Sequence, residues 1–134
     1  MMNIQTLPNQ FIINDHNHHQ ESNTSNPTAF ETLRHLASGN AVVIFVISGC
    51  CMCHVVKQLL FGLGVGPTVV ELDRHGSTGR EMHALLRHFA SEGQQPVPAV
   101  FVGGKFLGGI EAVMSCHING TLVPLLKDAG ALWL

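Results

Sequence analysis

The sequence predicts an α/β domain, a small mixed sheet of four strands flanked by helices. Three observations lead there. Ala41 to Ile47 is a wholly apolar, β-branched-rich run, the pattern of a strand buried on both faces. Helical stripes alternate with such strand candidates through the first part of the chain, which predicts a parallel β-α-β unit with a right-handed crossover. Gly103-Gly104 stands between two further apolar runs, a two-residue hairpin signal that adds an antiparallel strand.

Taken in order, residues 1–26 read as a flexible polar tail, rich in Asn, Gln, Ser and His and almost without hydrophobic periodicity. His16, His18 and His19 within it read as solvated rather than as a metal site. The folded domain is then 27–134. Thr28-Ala29-Phe30-Glu31 is a T-x-x-E capping box. Phe30, Leu33 and Leu36/Ala37 share a helical face behind it, and Gly39 is a stop. After the strand at 41–47 come three crowded cysteines. A helix follows, marked by Val55, Val56, Leu59 and Leu60 and ended by Gly62 and Gly64. Thr68 to Leu72 is the second strand. Thr78-Gly79-Arg80-Glu81 reads as another capping box, with Met82, Leu85, Leu86 and Phe89 as its apolar stripe. Strands at 99–102 and 106–107 flank the glycine pair. Two short helices, near 111–116 and 121–129, close the chain.

Composition removes several function classes. The chain has 134 residues, one domain's worth, and 46% are apolar, enough for a core. Only 12% are charged, about half the usual quarter. Seven Lys/Arg against nine Asp/Glu form no basic stripe, which argues against direct nucleic-acid binding. The longest apolar run is far short of the ~20 residues of a membrane helix. The amino terminus lacks the basic start and apolar stretch of an export signal. Of four cysteines, Cys50, Cys51 and Cys53 lie within four positions. They cannot staple distant segments and point to local chemistry in a reducing compartment.

Cys50 and Cys53 form C-x-x-C between a buried strand and a helix. A helix start offers unpaired backbone N–H groups and the positive end of the macrodipole. Both favour thiolate over thiol, so Cys50 is expected to have a lowered pKa and to attack disulfides. Cys53, one turn on, is placed to resolve the mixed disulfide. C-x-x-C at this junction reads as thioredoxin-like. Alternatives are c-type haem attachment (C-x-x-C-H, Cys50 to His54), a zinc site through Cys50, Cys53 and His54, or plain core cysteines. His54 and Lys57 either tune the thiolate or are solvated helix positions, and Cys116 reads as a packed thiol. Val97-Pro98, directly before strand 99–102, suits a cis peptide beside the active-site sulfurs, or an ordinary edge-strand proline.

"CCMC" (50–53), "PVPAVFVGGKFLGG" (96–109) and "LVPLLKDAGALWL" (122–134) resemble the CC-type glutaredoxins of land plants, over residues 29 to 134. The resemblance implies a thioredoxin fold and glutathione-dependent thiol–disulfide exchange, with Cys50 as nucleophile and Cys53 as resolving cysteine. Cys51 replaces the usual proline and is an auxiliary thiol. Glutathione is expected against Val97 and Pro98 at one end and Gly109, Ile110 and Glu111 at the other. Ile47 stands where glutaredoxins commonly carry a lysine, a departure that weakens glutathione binding. Exposed charge contacts of this kind are worth about 0.2–1 kcal/mol. A bound [2Fe–2S] cluster is a minor alternative and is not expected; no other metal is.

At the end of the chain, Leu122, Leu125, Leu126 and Ala129 form a helical stripe that reads either as core or as an L-x-x-L-L interaction pattern. Ala131-Leu132-Trp133-Leu134 holds the only Trp, a preferred anchor residue in interfaces. In this family the ending resembles a motif that recruits TGA-type bZIP transcription factors and TOPLESS-type corepressors. Leu122, Leu125, Leu126, Ala131, Leu132, Trp133 and Leu134 are therefore the expected partner contacts, in cytoplasm and nucleus. Two functions follow: a glutathione-dependent oxidoreductase acting on or with such factors, or a redox-weak transcriptional adaptor.

Overall fold

The computed structural model describes residues 2–3, 28–90 and 93–132. Its elements are β1 (Met2–Asn3), α1 (Ala29–Gly39), β2 (Val42–Val46), α2 (Cys51–Gly62), β3 (Thr68–Glu71), α3 (Gly76–Arg87), β4 (Ala99–Val102), β5 (Lys105–Gly108), α4 (Ile110–Ile118) and α5 (Leu122–Asp128). A single 3-10 turn, Leu72–Arg74, joins β3 to α3.

The sheet order is β1-β5-β4-β2-β3. β2 pairs in parallel with β3, from Val43 against Thr68 to Val46 against Glu71. Its other edge pairs antiparallel with β4. Every residue of β2 is buried. Successive side chains of a strand face opposite sides, so both faces of the sheet are covered. This is the thioredoxin fold, its four-stranded mixed sheet flanked by helices. Two residues of the expected tail, Met2 and Asn3, add a short antiparallel strand against Phe106 and Lys105 of β5. The histidines at 16, 18 and 19 lie outside the described residues.

Local rules account for most boundaries. Thr28 caps α1, its hydroxyl accepting the Glu31 N–H at 3.1 Å. Gly103 and Gly104, with φ of 61° and 83°, make the turn between β4 and β5. Two successive positive φ values are what a type I′ hairpin requires.

The second capping box is corrected. Helix α3 begins at Gly76, upstream of Thr78, and no side chain caps it. The 3-10 turn bends the chain early, and the His75 carbonyl already accepts the Gly79 N–H at 3.2 Å. Thr78 therefore sits inside the first turn rather than before it. Cys116 is half-buried against the core.

Candidate active site

β2 delivers the chain to the cysteines through a tight turn. The Cys50 N–H donates to the Ile47 carbonyl at 3.2 Å. Gly49 takes φ 82°, a left-handed conformation that glycine adopts without a steric cost. Cys50 then has extended backbone angles and caps α2, its Sγ accepting the Cys53 N–H at 3.2 Å. One orphan donor of the helix start is thus turned onto the sulfur. Negative charge on that sulfur lies at the favourable end of the helix dipole.

The sulfurs differ in environment. Cys51 is exposed, Cys50 half-buried and Cys53 buried, and all are free. Burial pushes the Cys53 thiol up to about 12; its hydrogen bond with Cys50 adds to the shift. Cys53 is thus a protonated thiol at neutral pH. Ile47 is half-buried and packs on the core.

Beside α2 lies a groove lined by Met52, Gly93, Gln94, Gln95, Val97, Pro98, Gly109, Ile110 and Glu111. The fold thus gathers all five residues expected to hold glutathione into one place. The Val97–Pro98 peptide is cis. Gly109 forms the N-cap of α4. A Cβ there would lie 3.1 Å from the Pro98 carbonyl oxygen, so glycine lets the helix start approach the proline. Gly108, with φ 141°, has no room either: a Cβ would meet that of Ala112 at 2.4 Å. Met52, Gly93, Gln94 and Gln95 complete the lining, beyond the residues the sequence motifs name. Their signal was position, Met52 inside the cysteine cluster and the glutamines just before the V-P step. The Gln94 amide donates to the Glu111 carboxylate, bridging the groove's two walls.

Comparison with known proteins matches residues 42–107 to the glutaredoxin family. The chain is 63% identical over 107 residues to Glutaredoxin-C9 of Oryza sativa subsp. japonica, covering 80% of this chain and 55% of that protein. It is 53% identical over 110 residues to Glutaredoxin-C7 of Arabidopsis thaliana, covering 80% and 81%. The chain belongs to the plant glutaredoxins. Among solved structures, a buckwheat glutaredoxin–glutathione complex superposes with a TM-score of 0.71 at 38% identity, covering 78% of this chain and 93% of that one. The chain spans about half the length of the rice relative and about four-fifths of the Arabidopsis one.

In this glutaredoxin the expected partner residues separate. Leu122, Leu126 and Leu132 are buried in the core. That corrects their assignment as partner contacts: the domain itself covers them. Leu125 and Ala131 are half-buried, and Trp133 and Leu134 lie outside the described residues. A [2Fe–2S] cluster takes four ligands. Among the described residues Cys53 is buried and Cys116 stands on a different helix, α4, which leaves Cys50 and Cys51 as the cysteines open to solvent at the start of α2. This donor set does not fit a cluster within one chain. Among the described residues no three His, Cys, Asp or Glu converge as metal ligands.

Proposed function

We propose that this glutaredoxin reduces glutathionylated and other disulfides through Cys50, with glutathione as co-substrate. The observation that carries the reading is Cys50 at the N-cap of α2, its sulfur taking the Cys53 N–H, beside the groove from Met52 to Glu111. The Cys50 thiolate attacks the glutathione sulfur of a mixed disulfide. The target thiolate leaves and takes up a proton, and Cys50 becomes glutathionylated. A second glutathione thiolate then attacks that sulfur, giving glutathione disulfide and restoring the Cys50 thiolate. The alternative exit, attack by Cys53, needs that thiol to lose its proton first. An attacking thiol must be thiolate, and burial, which raises the Cys53 thiol, disfavours this route at neutral pH.

The groove suits a small peptide carrying both charge signs. Gly109 opens α4, whose first N–H groups and dipole favour a carboxylate. Glu111 supplies an acid for an ammonium. TGA-type bZIP factors, reached through the resemblance, are the proposed protein targets, in cytoplasm and nucleus. The test is turnover of a small mixed disulfide with glutathione, glutathione reductase and NADPH. Cys50→Ser is expected to abolish turnover and Cys53→Ser to retain most of it. Turnover unchanged in Cys50→Ser overturns the mechanism.

A further inference from the structure

β2 and β3 run parallel and in register, with Val46 opposite Glu71. Two residues beyond each, the strands have ended, and Ser48 and Asp73 face each other across the carboxyl end of the sheet. The Ser48 N–H donates to the Asp73 carboxylate at 3.1 Å. These residues are 25 positions apart, and the bond joins the turn that carries Cys50 to the 3-10 turn Leu72–Arg74. That turn is itself fixed from behind. A Cβ at Gly79 of α3 would lie 1.9 Å from the Leu72 carbonyl oxygen, so the helix start and the turn are in closest backbone contact. Leu72 is buried, 2% exposed.

The cysteine turn needs such a tie. Within the turn itself the Cys50 N–H donates to the Ile47 carbonyl, and between them lies Gly49, the residue with the most backbone freedom. Ser48 and Gly49 are exposed, between half-buried Ile47 and Cys50. We propose that Asp73 is a positioning residue for the nucleophile: its carboxylate holds the Ser48 amide, and so sets where the Ile47–Cys50 turn places the sulfur at the start of α2. A charged acceptor makes a stronger bond to N–H than a neutral one. The Ser48 bond also holds the Asp73 carboxyl below the usual carboxylate range, so it is ionised throughout the neutral range.

The inference rests on the reading of Cys50 as nucleophile, and its test does not use glutathione turnover. In the full chain with Cys51→Ser, Cys53→Ser and Cys116→Ser, Cys50 is the one remaining thiol, and its alkylation by iodoacetamide can be timed at pH 7. Asp73→Ala is expected to slow alkylation about threefold or more, the worth of one hydrogen bond. Asp73→Asn keeps an oxygen acceptor and is expected to return to within about twofold of the parent. A purely structural loss would not be rescued in this way. An alanine variant at the parent rate overturns the proposal, and so does an asparagine variant as slow as alanine. Independently of any variant, the Ser48 amide of the unaltered chain is expected to be protected from hydrogen exchange; exchange at the rate of a free exposed amide overturns the tie. Failed turnover with a protected Ser48 amide would count against the proposed function alone.

Discussion

Cys50 and Cys53 are three residues apart and chemically opposed. One caps the start of α2 with its sulfur turned toward a backbone donor; the other points into the core, 2% exposed. Their spacing puts both at the start of α2, Cys50 as its cap and Cys53 in its first turn, and burial sets the second apart. The raised Cys53 thiol has a consequence for stability. Its folded value, about 12, lies above its unfolded value near 9.0. Below both values the thiol is protonated in either state and contributes no pH dependence. Between them the unfolded chain binds fewer protons than the folded one, so folding stability falls as pH rises. Urea unfolding followed from pH 8.5 upward is expected to lose stability more steeply in the parent than in Cys53→Ala. Equal slopes would mean that the Cys53 thiol titrates alike in both states.

At the scale of elements, the contact between α3 and the 3-10 turn makes the sharpest demand on sequence. Gly79 is buried within a helix, where alanine would ordinarily be favoured by about 1 kcal/mol. Here the Leu72 carbonyl oxygen fills the space of its Cβ, at 1.9 Å, and backbone on both sides must shift to admit one. Gly79→Ala is therefore expected to destabilise by about 1–3 kcal/mol in chemical denaturation, as overpacking does. A neutral or stabilised variant would show that the helix start can move away. The same region marks the boundary of what sequence patterns reveal. The Thr28 box, the buried β2 run, the glycine hairpin and the Met82–Leu86 stripe were legible, because each follows from spacing within one element. The start of α3 was not, because a 3-10 turn carries no periodicity and its placement depends on β3. For the same reason Cys50, Val97, Pro98 and Gly109 to Glu111 could be named from motifs, whereas Gln94 and Asp73 could not. Their roles exist only through partners 17 and 25 residues away.

Across the whole molecule, Cys50 and Leu132 occupy opposite poles of the sheet. Cys50 follows the carboxyl end of β2. A second cavity lies at the amino ends of β2 and β3, lined by Asn40, Ala41, Val42, Gly64, Val65, Gly66, Thr68, Gly130 and Ala131. Leu132 is buried at this pole, against the Gly64 turn: a Cβ on Gly64 would lie 3.7 Å from its Cδ2. Five residues of β2 separate the two poles, on the order of 16 Å at ~3.3 Å per residue. Substitutions that far apart with no shared partner usually act independently. Leu132→Ala removes a buried side chain and is expected to cost about 2 kcal/mol or more in urea unfolding. Below the transition, Cys50 alkylation in that variant is expected to proceed at the parent rate. A folded Leu132→Ala protein with slowed alkylation would mean that the poles are coupled through β2. The same packing decides how the ending is tested for partners. Removing 131–134 takes a core residue along with the terminal Trp133 and Leu134, so lost binding there would mix instability with lost contact. A chain ending at Leu132 keeps the core leucine, and any binding it loses belongs to the last two residues.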